Sequence, residues 1–151
     1  MTDKPPPAGI VVRPLREDEL EEMTRVWTEG GLAYRPKGRD HIEELRAQRS
    51  RFPDLFLGAF EGDRMVGAVI ASDDGRKGWI NRLAVLPGHR RRGVGASLVR
   101  ECERALRMRG RGVFSMLIEG VNETSEKLFL GAGYKDEREI RYFVKRDSEQ
   151  T

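Results

Sequence analysis

A chain of 151 residues fits one domain, and 38% hydrophobic residues suffice for one core of ordinary size. Charged residues reach 35% but are mixed in sign, which excludes a disordered composition, and a net charge of +3 with a pI near 9.2 excludes a dedicated nucleic-acid binder. No apolar run is long enough to cross a membrane, and Cys102, alone, can form neither an intramolecular disulfide nor a metal cluster. The expectation is a cytoplasmic protein with no structural metal.

Residues 1–8, with three consecutive prolines and no periodicity, predict a flexible tail ahead of one domain over residues 9–147. Gly9 to Pro14 is β-branched enough for a first strand. Asp18 to Trp27 predicts a helix with Leu20, Met23 and Trp27 on one face, ended by Gly30-Gly31. A second helix is expected over Asp40 to Arg49, and Pro53 bars its extension. Three strands follow at Leu55–Phe60, Met65–Ser72 and Trp79–Leu86. The turn signals Glu61-Gly62-Asp63 and Asp73-Asp74-Gly75 join them into an antiparallel meander.

From Gly93 to Met108 the period becomes helical, with Leu98, Val99, Cys102, Ala105 and Leu106 as the apolar stripe. Cys102 on that stripe reads as a small core residue. Val113 to Ile118 reads as a strand central in the sheet. Asn122 offers an N-cap to a helix through Leu130, and Tyr134–Asp136 with Ile140–Val144 predicts a last hairpin. Helices interleave with hairpins, so the expected fold class is α/β (α+β), a mixed and mostly antiparallel sheet flanked by helices.

The chemistry concentrates between Leu83 and Ala96. A strand ends at Pro87, Arg90, Arg91 and Arg92 follow, and Gly93 and Gly95 open the long amphipathic helix. The first turn of a helix carries N–H groups without partners, and its dipole favours negative charge. Glycines let a phosphate reach those donors, and a pyrophosphate is the natural occupant. A dinucleotide fingerprint would need a third glycine where Leu98 stands, and a P-loop would need Gly-Lys-Ser/Thr.

Val85-Leu86-Pro87-Gly88-His89-Arg90-Arg91-Arg92-Gly93-Val94-Gly95-Ala96 resembles the acetyl-CoA motif of the GNAT N-acetyltransferase superfamily, Val-x-Pro-x-x-Arg/Gln-x-x-Gly-x-Gly/Ala. The likeness extends in element order from Val11 to Val144, and Asn122, Phe129 and Gly133-Tyr134 are similar to a second family segment. The resemblance implies that the backbone of Leu83, Ala84 and Val85 binds the pantetheine arm of acetyl-CoA. It further implies that amides between Arg91 and Ala96, Val94 among them, hold the pyrophosphate, and that Asn122 and Phe129 contact the cofactor. The implied reaction is direct acetyl transfer to a primary amine, and dimers are common in the superfamily. Phe129 stands where the family often has a tyrosine that protonates the leaving thiolate, which leaves the proton donor open. A non-catalytic CoA-binding module is the alternative.

Glu119, just after the apolar strand, is the first candidate for general base, although a carboxylate at a strand end is commonly only solvated. Asn81 and Arg82 on the preceding strand are candidates for the acceptor side. Tyr34 and His41 fall in the connection that, by the resemblance, forms part of the acceptor pocket. Asp73 and Asp74 would attract a cation, but Gly75 beside them favours ordinary turn chemistry.

Overall fold

The computed structural model describes residues 4–149 and 151, so Met1 to Asp3 of the expected tail lie outside the described residues. A five-stranded sheet runs in the order β1 (Ile10–Pro14), β2 (Phe56–Glu61), β3 (Arg64–Asp73), β4 (Gly78–Val85) and β5 (Phe114–Met116). The first four strands are antiparallel neighbours, and β5 joins β4 in parallel. Among the described residues four α-helices complete the fold: α1 (Leu20–Glu29), α2 (Ile42–Arg51), α3 (Val94–Met108) and α4 (Glu123–Gly131).

The meander follows from its turns. Gly62 and Asp63 alone separate the paired residues Glu61 and Arg64, and Gly62 takes a φ of 59° that a two-residue hairpin requires. In the next turn Asp73 accepts the Gly75 N–H, and Asp74 accepts those of Arg76 and Lys77. The Lys77 amide first, then the Trp79 indole and the Arg76 amide, hold the Asp74 carboxyl down to about 2. Both aspartates therefore serve the turn, the plainer of the two roles open to them.

Successive residues of a strand face opposite sides of a sheet, and the two helical layers divide accordingly. A Cβ placed on Gly67 of β3 would meet Leu98 and Val94 of α3 at 3.1 and 3.2 Å. Its neighbour Ala68 pairs with Ala84, against which the end of α1 packs at Gly30. The α1 face contributes Leu20, Met23, Val26 and Trp27 to the core, and the α3 face contributes Leu98, Val99, Cys102 and Leu106. Burial drives the Cys102 thiol pKa upward, and it is a core residue.

The larger departures from expectation lie in three places. Helix α2 begins after His41, whose Nδ1 accepts the Glu43 N–H, so His41 is a cap. The strand expected over Val113–Ile118 shortens to Phe114–Met116 and lies at the sheet edge, with Val113 and Leu117 half exposed. Its apolar run suggested burial on both faces, but pairing with β4 ends at Met116. The hairpin expected over Tyr134–Asp136 and Ile140–Val144 does not form, and Ile140, Tyr142 and Phe143 are exposed. A strand-like pattern without an adjoining edge has no ladder to join.

Candidate active site

The site begins with an irregularity in β4. Ala71 pairs with Ile80 while Ile70 pairs with Arg82, so Asn81 is an extra residue bulged out of the ladder. On the other edge of β4, pairing with β5 covers only Gly78 to Ile80. From Asn81 to Val85 that edge has no strand beside it among the described residues, and Leu83, Ala84 and Val85 form one wall of a cavity of about 850 Å³. The other walls are the end of α1 at Gly30, Gly31 and Leu32, the loop opening α3, and the first turns of α4. This volume lies in the range of ligand pockets.

Beyond β4 the loop turns into α3 through Arg91 at φ 61° and Gly93 at φ 84°. Left-handed residues bracket Arg92, a backbone pattern of the kind that builds anion nests. The first amide at this end of α3 that finds a backbone acceptor is that of Ser97, on Gly93 O at 3.1 Å. The amides of Val94, Gly95 and Ala96 thus carry the partial positive charge of the helix toward the cavity. Gly95 has a packing reason as well: a Cβ there would stand 3.2 Å from Leu128 of α4.

The profile described as "Acetyltransferase (GNAT) family" matches residues 13–134. This chain belongs to the GNAT acetyltransferase family. It is similar to an acetyltransferase of Sodalis glossinidius, 27% identical over 89% of this chain and 94% of that one. It is also similar to one of Pectobacterium atrosepticum, 30% identical over 74% and 78%. Among solved structures, it resembles the PaiA N-acetyltransferase of Thermoplasma acidophilum in complex with coenzyme A, with a TM-score of 0.73, 21% identity and coverage of 83% and 89%. An aminoglycoside antibiotic 6'-N-acetyltransferase of Acinetobacter haemolyticus superposes with a TM-score of 0.74 at 19% identity, covering 91% and 99%. At such identities the two structures speak for the fold.

The cavity of this acetyltransferase brings together Leu83, Ala84, Val85, Arg90, Arg91, Gly93, Val94, Gly95, Ala96 and Asn122. The three arginines have separate roles. Arg90 donates through Nη2 to Gly30 O at 2.6 Å and through Nε to Val85 O at 3.2 Å, tying α1 to the end of β4. Arg92 turns away from the cavity and, with His89, binds Glu61, whose carboxyl is lowered chiefly by the His89 hydrogen bond. Arg91 lines the cavity, and among the described residues its guanidinium has no hydrogen-bond or ion-pair partner. Asn122 accepts the Ser125 N–H through Oδ1 and so caps α4, and its amide N–H₂ has no partner among the described residues.

Phe129 is not on the cavity wall: it is buried, edge-on to Tyr134 at 5.1 Å. The Tyr134 hydroxyl donates to Glu103 at 2.8 Å, and burial, then this carboxylate, push its pKa upward. Tyr34, Asn81 and Glu119 also lie off the cavity wall. Tyr34 packs on Trp27 and reaches Thr28, Asn81 donates to Ser72 at 2.8 Å, and Glu119 is exposed. The wall supplied by Gly30 to Leu32 was missed in the sequence, where the glycine pair signalled only a helix end. Among the described residues no helix is long and apolar enough to cross a membrane.

Proposed function

We propose that this acetyltransferase binds acetyl-CoA in the cavity between β4 and α4 and transfers its acetyl group directly to a primary amine. The observation that carries the reading is continuity: the unpaired edge of β4 from Asn81 to Val85 leads straight to the unpartnered amides of α3. An extended pantetheine arm would add to that edge as a strand, and a pyrophosphate would sit on the amides from Arg91 to Ala96. Arg91 would supply charge, and the Asn122 amide would meet the arm where β5 diverges.

An amide of the Leu83–Val85 edge would polarise the thioester carbonyl. The neutral amine then attacks that carbon, a C–N bond forms, and the C–S bond breaks. The proton leaves the ammonium, and we assign its acceptance to Glu119, which is exposed three residues beyond the last β4–β5 pair. CoA departs as a thiolate and takes its proton from solvent, because Phe129 has no hydroxyl and Tyr134 donates to Glu103.

Calorimetric titration with acetyl-CoA, with NAD and ATP as controls, tests the cofactor half. Selective binding of acetyl-CoA is expected, and equal binding of the three would refute the site. Glu119→Gln is expected to lower kcat/KM at least tenfold at neutral pH with acetyl-CoA affinity retained; an unchanged rate would remove Glu119 from the mechanism.

A further inference from the structure

Beyond the cavity wall, which carries Glu29 and Glu123 as well as Arg90 and Arg91, an arginine of β4 pairs with an aspartate. If the phosphates of acetyl-CoA lie at the opening of α3 and its arm runs back along β4 from Val85 to Leu83, the acetyl end arrives beside the next residue, Arg82. The Arg82 side chain shares the α1 face of the sheet with Ala84, two residues on. It is only 20% exposed, and Nη2 meets Asp40 Oδ2 at 3.1 Å. Nη1 reaches only the neighbouring Asn81 O, at 3.4 Å, and Nε is buried without an acceptor among the described residues.

Asp40 does not balance the surroundings. The same Oδ2 already accepts the Arg35 N–H at 2.6 Å, and Arg35 Nε is itself buried without an acceptor. Arg35, Lys37 and Arg39 stand in the same α1–α2 connection as Asp40. The carboxylate farther along this face, Asp74, is consumed by Arg76, Lys77 and the Trp79 indole. Ser72, next to it, is taken by Asn81. Buried N–H groups without acceptors are costly, and a planar guanidinium fork matches a carboxylate.

We propose that Arg82, oriented by Asp40, recognises a carboxylate on the acceptor, so that the substrate class is an amine that also bears a carboxylate, such as an amino acid, and not a polycation. This rests on the acetyl-CoA reading above and deepens it. The terminal nitrogens of Arg82, of which Nη1 has only the 3.4 Å contact to Asn81 O, would bind that carboxylate.

The test compares each of several free amino acids with its own carboxamide as acceptor, beside spermidine and an aminoglycoside, by following CoA release. The carboxylate member of each pair is expected to show at least tenfold higher kcat/KM, chiefly through KM. Arg82→Gln, paired with Asp40→Asn to avoid an uncompensated buried charge, should collapse that ratio toward one, and Arg82→Lys should restore part of it. A second readout needs no turnover: an N-acetyl amino acid should bind the CoA-loaded protein more tightly than its N-acetyl carboxamide. Equal or better use of carboxamides, spermidine or the aminoglycoside would overturn the proposal while leaving acetyl-CoA binding intact. Failure to bind acetyl-CoA would overturn both this proposal and the reading beneath it.

Discussion

Arg90 donates to the carbonyl oxygen of Gly30 at 2.6 Å across sixty positions of sequence, and its Nε holds Val85 O as well. One guanidinium thereby joins the last turn of α1 to the end of β4, two walls of the same cavity. Arg90→Met keeps the stem and removes both bonds. Charge-assisted bonds at an exposed site contribute about 1–2 kcal/mol, so Arg90→Met should lower stability by about that much and, by loosening the two walls, weaken acetyl-CoA binding. Calorimetric titration checks this, and parent-like affinity would return Arg90 to an ornamental role.

Gly93 and Gly95 should fail for different reasons. Gly93 sits at φ 84°, where a side chain costs about 1–2 kcal/mol of backbone strain, so Gly93→Ala should weaken both folding and binding. Gly95→Ala should cost less in backbone terms but press on Leu128 from 3.2 Å. Gly95→Glu places bulk and negative charge at the proposed phosphate position and should abolish acetyl-CoA binding while the circular dichroism spectrum survives. Binding by Gly95→Glu at the parent's strength would show the site to be elsewhere.

Glu19 couples acid stability to the fold. It is 8% exposed, accepts both terminal nitrogens of Arg13 at 2.8 Å and the Arg16 N–H, and its carboxyl is held at about 2, first by Arg13. Because the folded pKa lies below the ordinary value of 4.5, this stabilisation is complete above about 4.5 and is lost as pH falls through about 2. Glu19→Gln should cost roughly 2 kcal/mol at pH 7 in urea unfolding, after allowance for the partly exposed Arg13. The deficit should shrink steadily between pH 5 and pH 2; a deficit independent of pH would contradict this account.

Tyr134→Phe separates structural from chemical duty. Loss of the 2.8 Å bond to Glu103 should lower stability by about 1 kcal/mol, while acetyl transfer proceeds at the parent's rate. A rate loss of a hundredfold or more would identify Tyr134 as the proton donor after all.

Much of the fold was legible in local pattern. Leu20, Met23 and Trp27 at helical spacing, and Leu98, Cys102 and Leu106 likewise, marked α1 and α3 with their buried faces correctly, because amphipathic periodicity is written into neighbouring residues. Gly62 and the Asp73–Gly75 turn marked the meander for the same reason. The expected C-terminal hairpin at Ile140–Val144 carried a strand's composition, yet composition cannot supply a neighbouring edge.

By itself, the sequence determined the interleaved helices and hairpins and the arginine–glycine loop that opens α3, since these depend on contacts a few residues apart. Tertiary structure alone decided which residues face the cavity. Pairing of β4 with two different neighbours creates the bulge at Asn81 and the open edge at Leu83–Val85. Packing across the chain sends Arg90 to Gly30, Arg92 to Glu61, Phe129 into the core and Arg82 to Asp40. Each of those placements is a long-range pairing, and side-chain identity specifies what a group can bond but not which partner the folded chain brings within reach.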